Sequence, residues 1–408
     1  MLKKIFVVLF FFVGVQMNAQ SDFPVQNTYP FVRYEKNVLS FPGDKSAFET
    51  LFAKFDTLIM YGTNKINILQ IGASHTQADV FTAQLRMRFQ NMYPGLSAGR
   101  GYVFPYNLIR TNSPYNYKAY HTGEWHVCRN VERRTCELGI TGISATTYDE
   151  GATISIKMRK SSGNDYSFNY VKILHSTDES SYLLSIIPDT LIVSSNTNKK
   201  LGYTEFFLNE FVCEITIQVN KTELEQNRFV LYGMFLENTY PGIVFHPIGI
   251  NGAGTYSFNK CNLLEKQLEA INPDWIIIAL GTNDGYTTKF NSDIFKKNFR
   301  RLIRKIKSVN PNYAITIIVP NDVYYRRKYP NPSTAKQEKV IIELAKEEGC
   351  SVWNMYEIMG GMNSSVLWLK YGLMKYDKIH FTKTGYQHLA DLFFKSFIDS
   401  YGDFIYNK

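Results

Sequence analysis

The chain has 408 residues, of which 45% are hydrophobic and 15% aromatic, and its formal net charge is +9 at pH 7. This composition excludes an intrinsically disordered chain, because disorder requires low hydrophobicity, and it indicates a well-filled globular core. The basic residues occur as scattered pairs without one dense tract, so the sequence does not predict binding to nucleic acid.

The N-terminal residues have the pattern of a secretory signal peptide. Lys3 and Lys4 precede an apolar run over residues 5–15, and small or polar residues follow as far as Ala19. The run is too short to span a bilayer comfortably, which favours a cleaved signal over a membrane anchor. We therefore expect residues 1–19 to be removed and the mature protein to be exported, periplasmic or extracellular, and monomeric, without stable membrane insertion.

The next clear element, after an ambiguous stretch at residues 20–58, is an apolar strand predicted over residues 66–72. Ser74 and His75 follow it directly, ahead of a helix predicted over residues 78–92. A serine at such a turn is either a helix cap or a nucleophile, and a nucleophile needs a base and an oxyanion site. We expect His75 to be structural, since neighbouring side chains at a helix start point apart.

Residues 110–238 have a different pattern. Short alternating runs rich in Tyr, Thr, Ser, Val and Ile are separated by polar turns, and no helical period occurs. This pattern predicts an inserted antiparallel β-sandwich. Its strands are expected at residues 152–158, 166–174, 182–194 and 213–219. Cys128 and Cys136 flank a polar segment within it, and export would allow a disulfide between them.

From residue 240 onward, fully apolar runs alternate with segments of helical character. Continuous apolar runs are typical of strands buried on both faces of a parallel sheet, whose carboxyl ends carry ligand sites. Residues 60–105 and 240–400 together therefore predict one discontinuous α/β domain with three α/β/α layers. Its later strands are expected at 243–250, 274–281, 314–320 and 350–355, and its later helices at 257–270, 291–308, 333–348 and 383–398.

Three polar motifs lie at the ends of these predicted strands or just before a helix. "GINGAG" contains clustered glycines, which expose backbone N–H groups or simply form a tight turn. "GTND" carries Asn283, whose amide could donate to an oxyanion or form an Asx-turn. In "DKIH", Asp377 could hold Nδ1 of His380 and leave Nε2 free as a base, or it could merely cap the next helix.

The motifs "GASH", "NGAG", "GTND" and "DKIH" occur in the order serine, glycine, asparagine and histidine, and in this the chain resembles the SGNH (GDSL-type) hydrolases. The resemblance implies that Ser74 is the nucleophile and that Asp377 orients the base, His380. It also implies an oxyanion hole made by the N–H groups of Ser74 and Gly252 and by the amide of Asn283. It implies no metal and no organic cofactor.

Within that family the layout is most similar to exported bacterial peptidoglycan O-acetylesterases, because the chain shares their length, a signal peptide, "SHT" at the serine and a sandwich that resembles a carbohydrate-binding module. The implied activity is removal of O-acetyl groups from a cell-wall or extracellular polysaccharide, peptidoglycan first, through an acetyl-enzyme. An O-acetylated polysaccharide is therefore the expected partner. The alternatives are a polysaccharide O-acetyltransferase with the same triad and a catalytically silent glycan-binding protein. Ala73 raises the second alternative, since the family usually has aspartate there.

Overall fold

The computed structural model describes residues 28–159 and 166–407, and the predicted signal peptide lies outside them. The helices are α1 (Ser46–Tyr61), α2 (Ser74–Gln77), α3 (Phe81–Gln90), α4 (Thr255–Phe258), α5 (Leu264–Ile271), α6 (Thr282–Gly285), α7 (Ser292–Val309), α8 (Ser333–Glu348), α9 (Met355–Met359), α10 (Ser364–Lys370) and α11 (Lys383–Tyr406). The strands are β1 (Leu39–Ser40), β2 (Lys65–Gly72), β3 (Gly99–Val103), β4 (Tyr117–His121), β5 (His126–Arg129), β6 (Ile143–Thr147), β7 (Thr153–Met158), β8 (Phe168–His175), β9 (Leu183–Ile187), β10 (Ile192–Asn198), β11 (Tyr203–Val212), β12 (Glu214–Asn220), β13 (Phe229–Glu237), β14 (Gly242–Gly249), β15 (Trp275–Ala279), β16 (Ala314–Ile318), β17 (Tyr324–Tyr325), β18 (Tyr329–Pro330) and β19 (Ser351–Trp353).

A six-stranded sheet in the order β1-β19-β16-β15-β2-β14 forms the centre of the molecule. Its strands run parallel except β1, which pairs antiparallel with β19 at one edge. Side chains such as Ile68 and Ile277 pack with α1, α3 and α11 on one face. Ile71 and Ile276 pack with α5, α7 and α8 on the other face. The predicted three-layer α/β/α fold is confirmed.

Two antiparallel sheets contain most of the strands between β3 and β13. One has the order β10-β11-β8-β13-β6-β5, with β3 also paired to β13, and the other has the order β4-β7-β12-β9. Ile156 and Ile215 from the second sheet share one buried cluster with Val171 and Leu231 from the first. The predicted antiparallel addition is therefore present, and in β7 and β12 buried side chains alternate with more exposed ones, as in a sandwich.

The sandwich and the central sheet share one core, because the same buried cluster reaches Ile71 and Ile248 of the central sheet. Strand β3 precedes residue 110 yet pairs with β13 in the antiparallel sheet. Helix α1 precedes residue 60 yet packs on the central sheet. The division into residues 60–105, 110–238 and 240–400 stays a prediction.

Some elements differ in detail from those that the sequence predicts. The helix expected over residues 78–92 is the shorter α3, which begins only at Phe81 because Asp79 has a positive φ of 48°; the short helix α2 precedes the expected range. The strand expected over residues 182–194 is split into β9 and β10 by a 3-10 turn that follows Pro188. Cys128 and Cys136 form a disulfide. Within residues 28–159 and 166–407, no helix is long and apolar enough to cross a membrane.

Candidate active site

The candidate site lies where three neighbouring strands of the central sheet end. Strands β15, β2 and β14 finish at the same level, as their pairing registers show. The segments that follow these strands carry Asn283, Ser74 and Gly252 respectively. Since the strands are parallel, all three segments emerge at one edge of the sheet, as their positions after the apolar runs predict.

Ser74 contacts the histidine that was predicted as its base. Its Oγ lies 2.9 Å from Nε2 of His380, although 306 positions separate the two residues. On the other side of the ring, Nδ1 of His380 lies 2.9 Å from Oδ2 of Asp377. The helix-cap alternative for Ser74 is not what the structure shows, because Ala73 occupies the N-cap position of α2 and no side chain caps this helix.

A tight turn positions the carboxylate and the imidazole. The N–H of Lys375 donates to the carbonyl of His380 at 2.7 Å, and Oδ1 of Asp377 accepts from the N–H groups of Ile379 and His380, each at 2.9 Å. Burial acts to raise the pKa of Asp377, but hydrogen bonds from His380 and Ile379 outweigh it and hold that pKa below its usual range. The ionised carboxylate favours a proton on Nδ1 of the neutral histidine, so Nε2 can accept one from Ser74.

Each of the three glycines of "GINGAG" is needed for its own structural reason. Gly252 alone among them has a positive φ, +84°, and a Cβ there would meet nothing closer than Val131 Cγ1 at 3.9 Å. A Cβ on Gly249 would lie 2.2 Å from the backbone N of Gln77, and one on Gly254 would lie 2.8 Å from a carboxylate oxygen of Asp284. Gly249 and Gly254 therefore allow close packing, whereas Gly252 allows a left-handed turn that faces open space.

Asn283 joins the glycine loop to the end of β15. Its Nδ2 donates to the carbonyl of Ala253 at 2.9 Å, which leaves the second hydrogen of that amide for another acceptor. Among the described residues, the backbone N–H groups of Ser74 and Gly252 donate no hydrogen bond. Ser74 is the first residue of α2, where a helix has no internal partner for its N–H. Three donors thus remain at this edge of the sheet.

Gln77, which sequence reasoning missed, ties the serine helix to the glycine loop. It is 2% exposed, and its Oε1 accepts from the backbone N–H of Asn251 at 2.8 Å. Its Nε2 donates to the backbone carbonyl of Asn112 at 3.0 Å and contacts Thr111 Oγ1 at 3.2 Å. The side chain of Asn251 binds the same two residues, at 2.8 and 3.0 Å. The only sequence signal for Gln77 was a polar residue three positions after Ser74, and its burial became visible only in the structure.

This network bears on Ala73. The aspartate usual at that position in the SGNH hydrolases, which the sequence resembles, would offer a hydrogen bond between the serine turn and neighbouring loops, and alanine cannot. Gln77 makes such a connection from the other end of the same short helix, through Asn251 next to Gly252. The serine turn is thus held to the glycine loop despite the alanine.

His75 lies beside the site as a neutral, packed side chain. Its Nδ1 lies 2.8 Å from the hydroxyl of Tyr386, and its ring centroid lies 5.2 Å from that of His380. Burial lowers the pKa of His75 to about 3; the positive charge that His380 can carry acts in the same direction, and Asp377 opposes it. The ring is therefore uncharged near neutral pH, in agreement with a structural role.

Metal binding has no candidate site in the part of the chain that the structure describes, where no group of three or more His, Cys, Asp or Glu side chains could hold an ion. The polar groups of the site are instead arranged for proton transfer and for stabilising negative charge on oxygen. A hydroxyl, an imidazole and a carboxylate in series, next to three N–H donors, can carry out acyl transfer.

The fold can be compared with those of known proteins. Residues 215–388 match the family model of the GDSL-like lipases and acylhydrolases. That segment contains Gly252, Asn283, Asp377 and His380, whereas Ser74 lies ahead of it. No curated protein matches the chain.

Among solved structures, the chain has the fold of a peptidoglycan O-acetylesterase. The match has a TM-score of 0.75 and 22% identity, and it covers 90% of this chain and 99% of the other. A carbohydrate esterase family 3 protein from Talaromyces cellulolyticus matches at a TM-score of 0.31 and 16% identity, over 40% of this chain and 73% of that one. A putative GDSL-like lipase from Parabacteroides merdae matches at 0.30 and 19%, over 38% and 72%. The first match and the family model confirm the predicted resemblance to the SGNH hydrolases, so the chain has the fold of a GDSL-type acylhydrolase.

Proposed function

We propose that the protein is a serine esterase that removes O-acetyl groups from a cell-wall or extracellular polysaccharide, with peptidoglycan as the first candidate. The observation that carries the proposal is the unbroken series of contacts from Ser74 through His380 to Asp377, each 2.9 Å long. The nature of the substrate is supported by the structural similarity to a peptidoglycan O-acetylesterase over 90% of the chain.

The reaction proceeds in two acyl transfers. Ser74 Oγ attacks the acetyl carbonyl carbon while Nε2 of His380 takes its proton, and the carbonyl oxygen becomes an oxyanion. The intermediate then collapses to an acetyl-enzyme, and the departing sugar oxygen takes the proton from His380. Water attacks the acetyl group, with His380 again as the base, and acetate leaves as Ser74 recovers its proton.

The oxyanion is stabilised by the N–H groups of Ser74 and Gly252 and by the amide of Asn283. Among the three glycines of the loop, Gly252 is favoured for this role because its N–H donates no hydrogen bond among the described residues, whereas the N–H of Gly254 donates to Ser257 Oγ at 3.2 Å. One donor of this kind contributes a factor of about 100 to 1,000 to kcat in other hydrolases. Asp377 remains ionised throughout, since its hydrogen bonds hold its pKa below the usual range.

Export is part of the proposal. Residues 1–19 have the pattern of a signal peptide, and the disulfide between Cys128 and Cys136 is typical of a protein from an oxidising compartment. We place the protein in the periplasm or outside the cell, where it meets acetylated polymers.

The test is acetate release from O-acetylated peptidoglycan by the purified mature protein. Ser74→Ala should lower that release by at least about a thousandfold, because the nucleophile is lost. If the wild type binds the polymer but releases no acetate, the glycan-binding alternative is favoured. If acetyl groups move to an added acceptor glycan and free acetate does not accumulate, the acetyltransferase alternative is favoured.

A further inference from the structure

A small basic hairpin lies at the rim of the candidate site. Strands β17 and β18 pair antiparallel, and the turn between them is Arg326, Arg327 and Lys328. The two arginines have φ values of 51° and 65°, a left-handed conformation that residues other than glycine adopt uncommonly. All three side chains are exposed. The turn therefore holds three positive charges at one place on the surface, where they are exposed to solvent.

The base of the hairpin is fixed to two of the catalytic segments. On one side, the N–H of Arg326 donates to the hydroxyl of Tyr286 at 2.9 Å, and the rings of Tyr286 and Tyr325 lie 5.2 Å apart. Tyr286 comes three residues after Asn283. On the other side, the N–H of Tyr324 donates at 3.3 Å to the carbonyl of Lys378, the residue that follows Asp377.

Five cations gather around these contacts, and we call them the basic rim: Arg326, Arg327, Lys328, Lys375 and Lys378. None of them forms a salt bridge within residues 28–159 and 166–407. The cations of α7 differ in this respect, because Lys296 and Arg300 bind carboxylates of α8.

Aromatic rings accompany the charges of the basic rim. The ammonium of Lys378 lies 4.1 Å from the ring centroid of Tyr324, and the guanidinium of Arg326 lies 5.4 Å from that of Tyr325. Tyr376, between Asp377 and Lys375, is 75% exposed. A tyrosine offers an apolar face for packing and a hydroxyl for hydrogen bonding, which suits the mixed surface of a sugar ring.

We infer that the acetylated polymer is an acidic glycan, whose carboxylates bind the basic rim while an acetyl group occupies the triad. This rests on the proposed esterase function and adds the substrate class. Cations without acidic partners attract carboxylates, and an arginine binds a carboxylate through two parallel hydrogen bonds. Because the hairpin touches the segments of both Asn283 and Asp377, a polymer bound to the rim lies across the entrance to the site.

The experiment compares two acetylated polymers of equal acetyl content, O-acetylated polygalacturonate, which carries carboxylates, and uncharged acetylated xylan. Wild type should show the higher kcat/KM on the acidic polymer, with a preference that decreases as salt is added. A variant with Arg326→Gln and Arg327→Gln should lower the ratio of the two kcat/KM values by about tenfold, mainly through KM on the acidic polymer. The matched control, Lys199→Gln with Lys200→Gln, removes the same charge from the exposed turn after β10 and should leave the ratio unchanged.

Several outcomes would overturn the inference. It is wrong if wild type has the same kcat/KM on the two polymers, or if the hairpin variant keeps the wild-type ratio of the two values. It is also wrong if the Lys199 and Lys200 control lowers that ratio as much as the hairpin variant does. It is also wrong if an oligodeoxynucleotide of matched charge binds the hairpin more tightly than polygalacturonate in an anisotropy titration. Failure to release acetate from O-acetylated peptidoglycan as well as from these two polymers would instead reject the proposed function, so the two failures are distinguishable.

Discussion

Replacing Gln77 by alanine tests whether the serine helix and the glycine loop act as one unit. The substitution removes the acceptor for the Asn251 N–H and the donors to Asn112 and Thr111. At about 1 kcal/mol net for each of these three hydrogen bonds, the loss in the free energy of unfolding is about 3 kcal/mol. The substitution should also affect kcat, because Asn251 directly precedes Gly252, whose N–H is a proposed oxyanion donor.

Loosening the Gly252 N–H should lower kcat less than deleting an oxyanion donor would. Since complete loss of an oxyanion donor lowers kcat by a factor of about 100 to 1,000, we expect Gln77→Ala to lower kcat by about 10- to 100-fold with little change in KM. Hydrolysis of 4-nitrophenyl acetate measures both constants, and thermal unfolding measures stability. Gln77→Glu keeps an acceptor for Asn251 but places a buried carboxylate oxygen against the Asn112 carbonyl, so it should lower stability at least as much as Gln77→Ala.

Gln84→Ala is the matched control. Gln84 is also nearly buried, and its amide donates to Asp391 at 2.8 Å, away from the glycine loop. Its replacement should lower the melting temperature without lowering kcat. The reasoning would be refuted if Gln77→Ala kept the wild-type kcat, or if the decrease in kcat of Gln84→Ala were as large.

Two further predictions concern Gly252 and His75. Gly252→Ala puts a side chain at φ +84° without a clash, so backbone strain of about 1–2 kcal/mol should lower stability. Because relief of that strain displaces the Gly252 N–H, kcat should fall at least about tenfold; unchanged stability and kcat together would contradict a strained donor turn. For His75, the folded-state pKa of about 3 lies below the ordinary 6.5, so the unfolded chain binds more protons between these values and stability is lost as pH falls from 6.5 toward 3. Between pH 7 and pH 5, the free energy of unfolding measured in urea should fall less for His75→Gln than for wild type. Equal decreases would contradict a lowered pKa of His75.

Much of the fold could be predicted because its signals are local. The buried parallel strands are mostly apolar runs, as in β2 and β15, and such a run is recognised from a few adjacent residues. The contact between Asp377 and His380 also spans only three positions, so it follows from the geometry of one turn. The breaks at Asp79 and after Pro188 were missed, because each depends on the backbone conformation of one or two residues inside an otherwise regular pattern.

The sequence by itself determined the α/β class, the antiparallel addition and the order of the four motifs, since periodicity and composition report burial along one element. Only the tertiary structure decided which distant groups meet. The Gln77–Asn251 hydrogen bond joins positions 174 apart, and the contact of Arg326 with Tyr286 joins positions 40 apart. The distinct role of Gly252 among three neighbouring glycines depends on its φ value and surroundings. Such contacts depend on strand order and loop path, which bring together side chains that no local pattern relates.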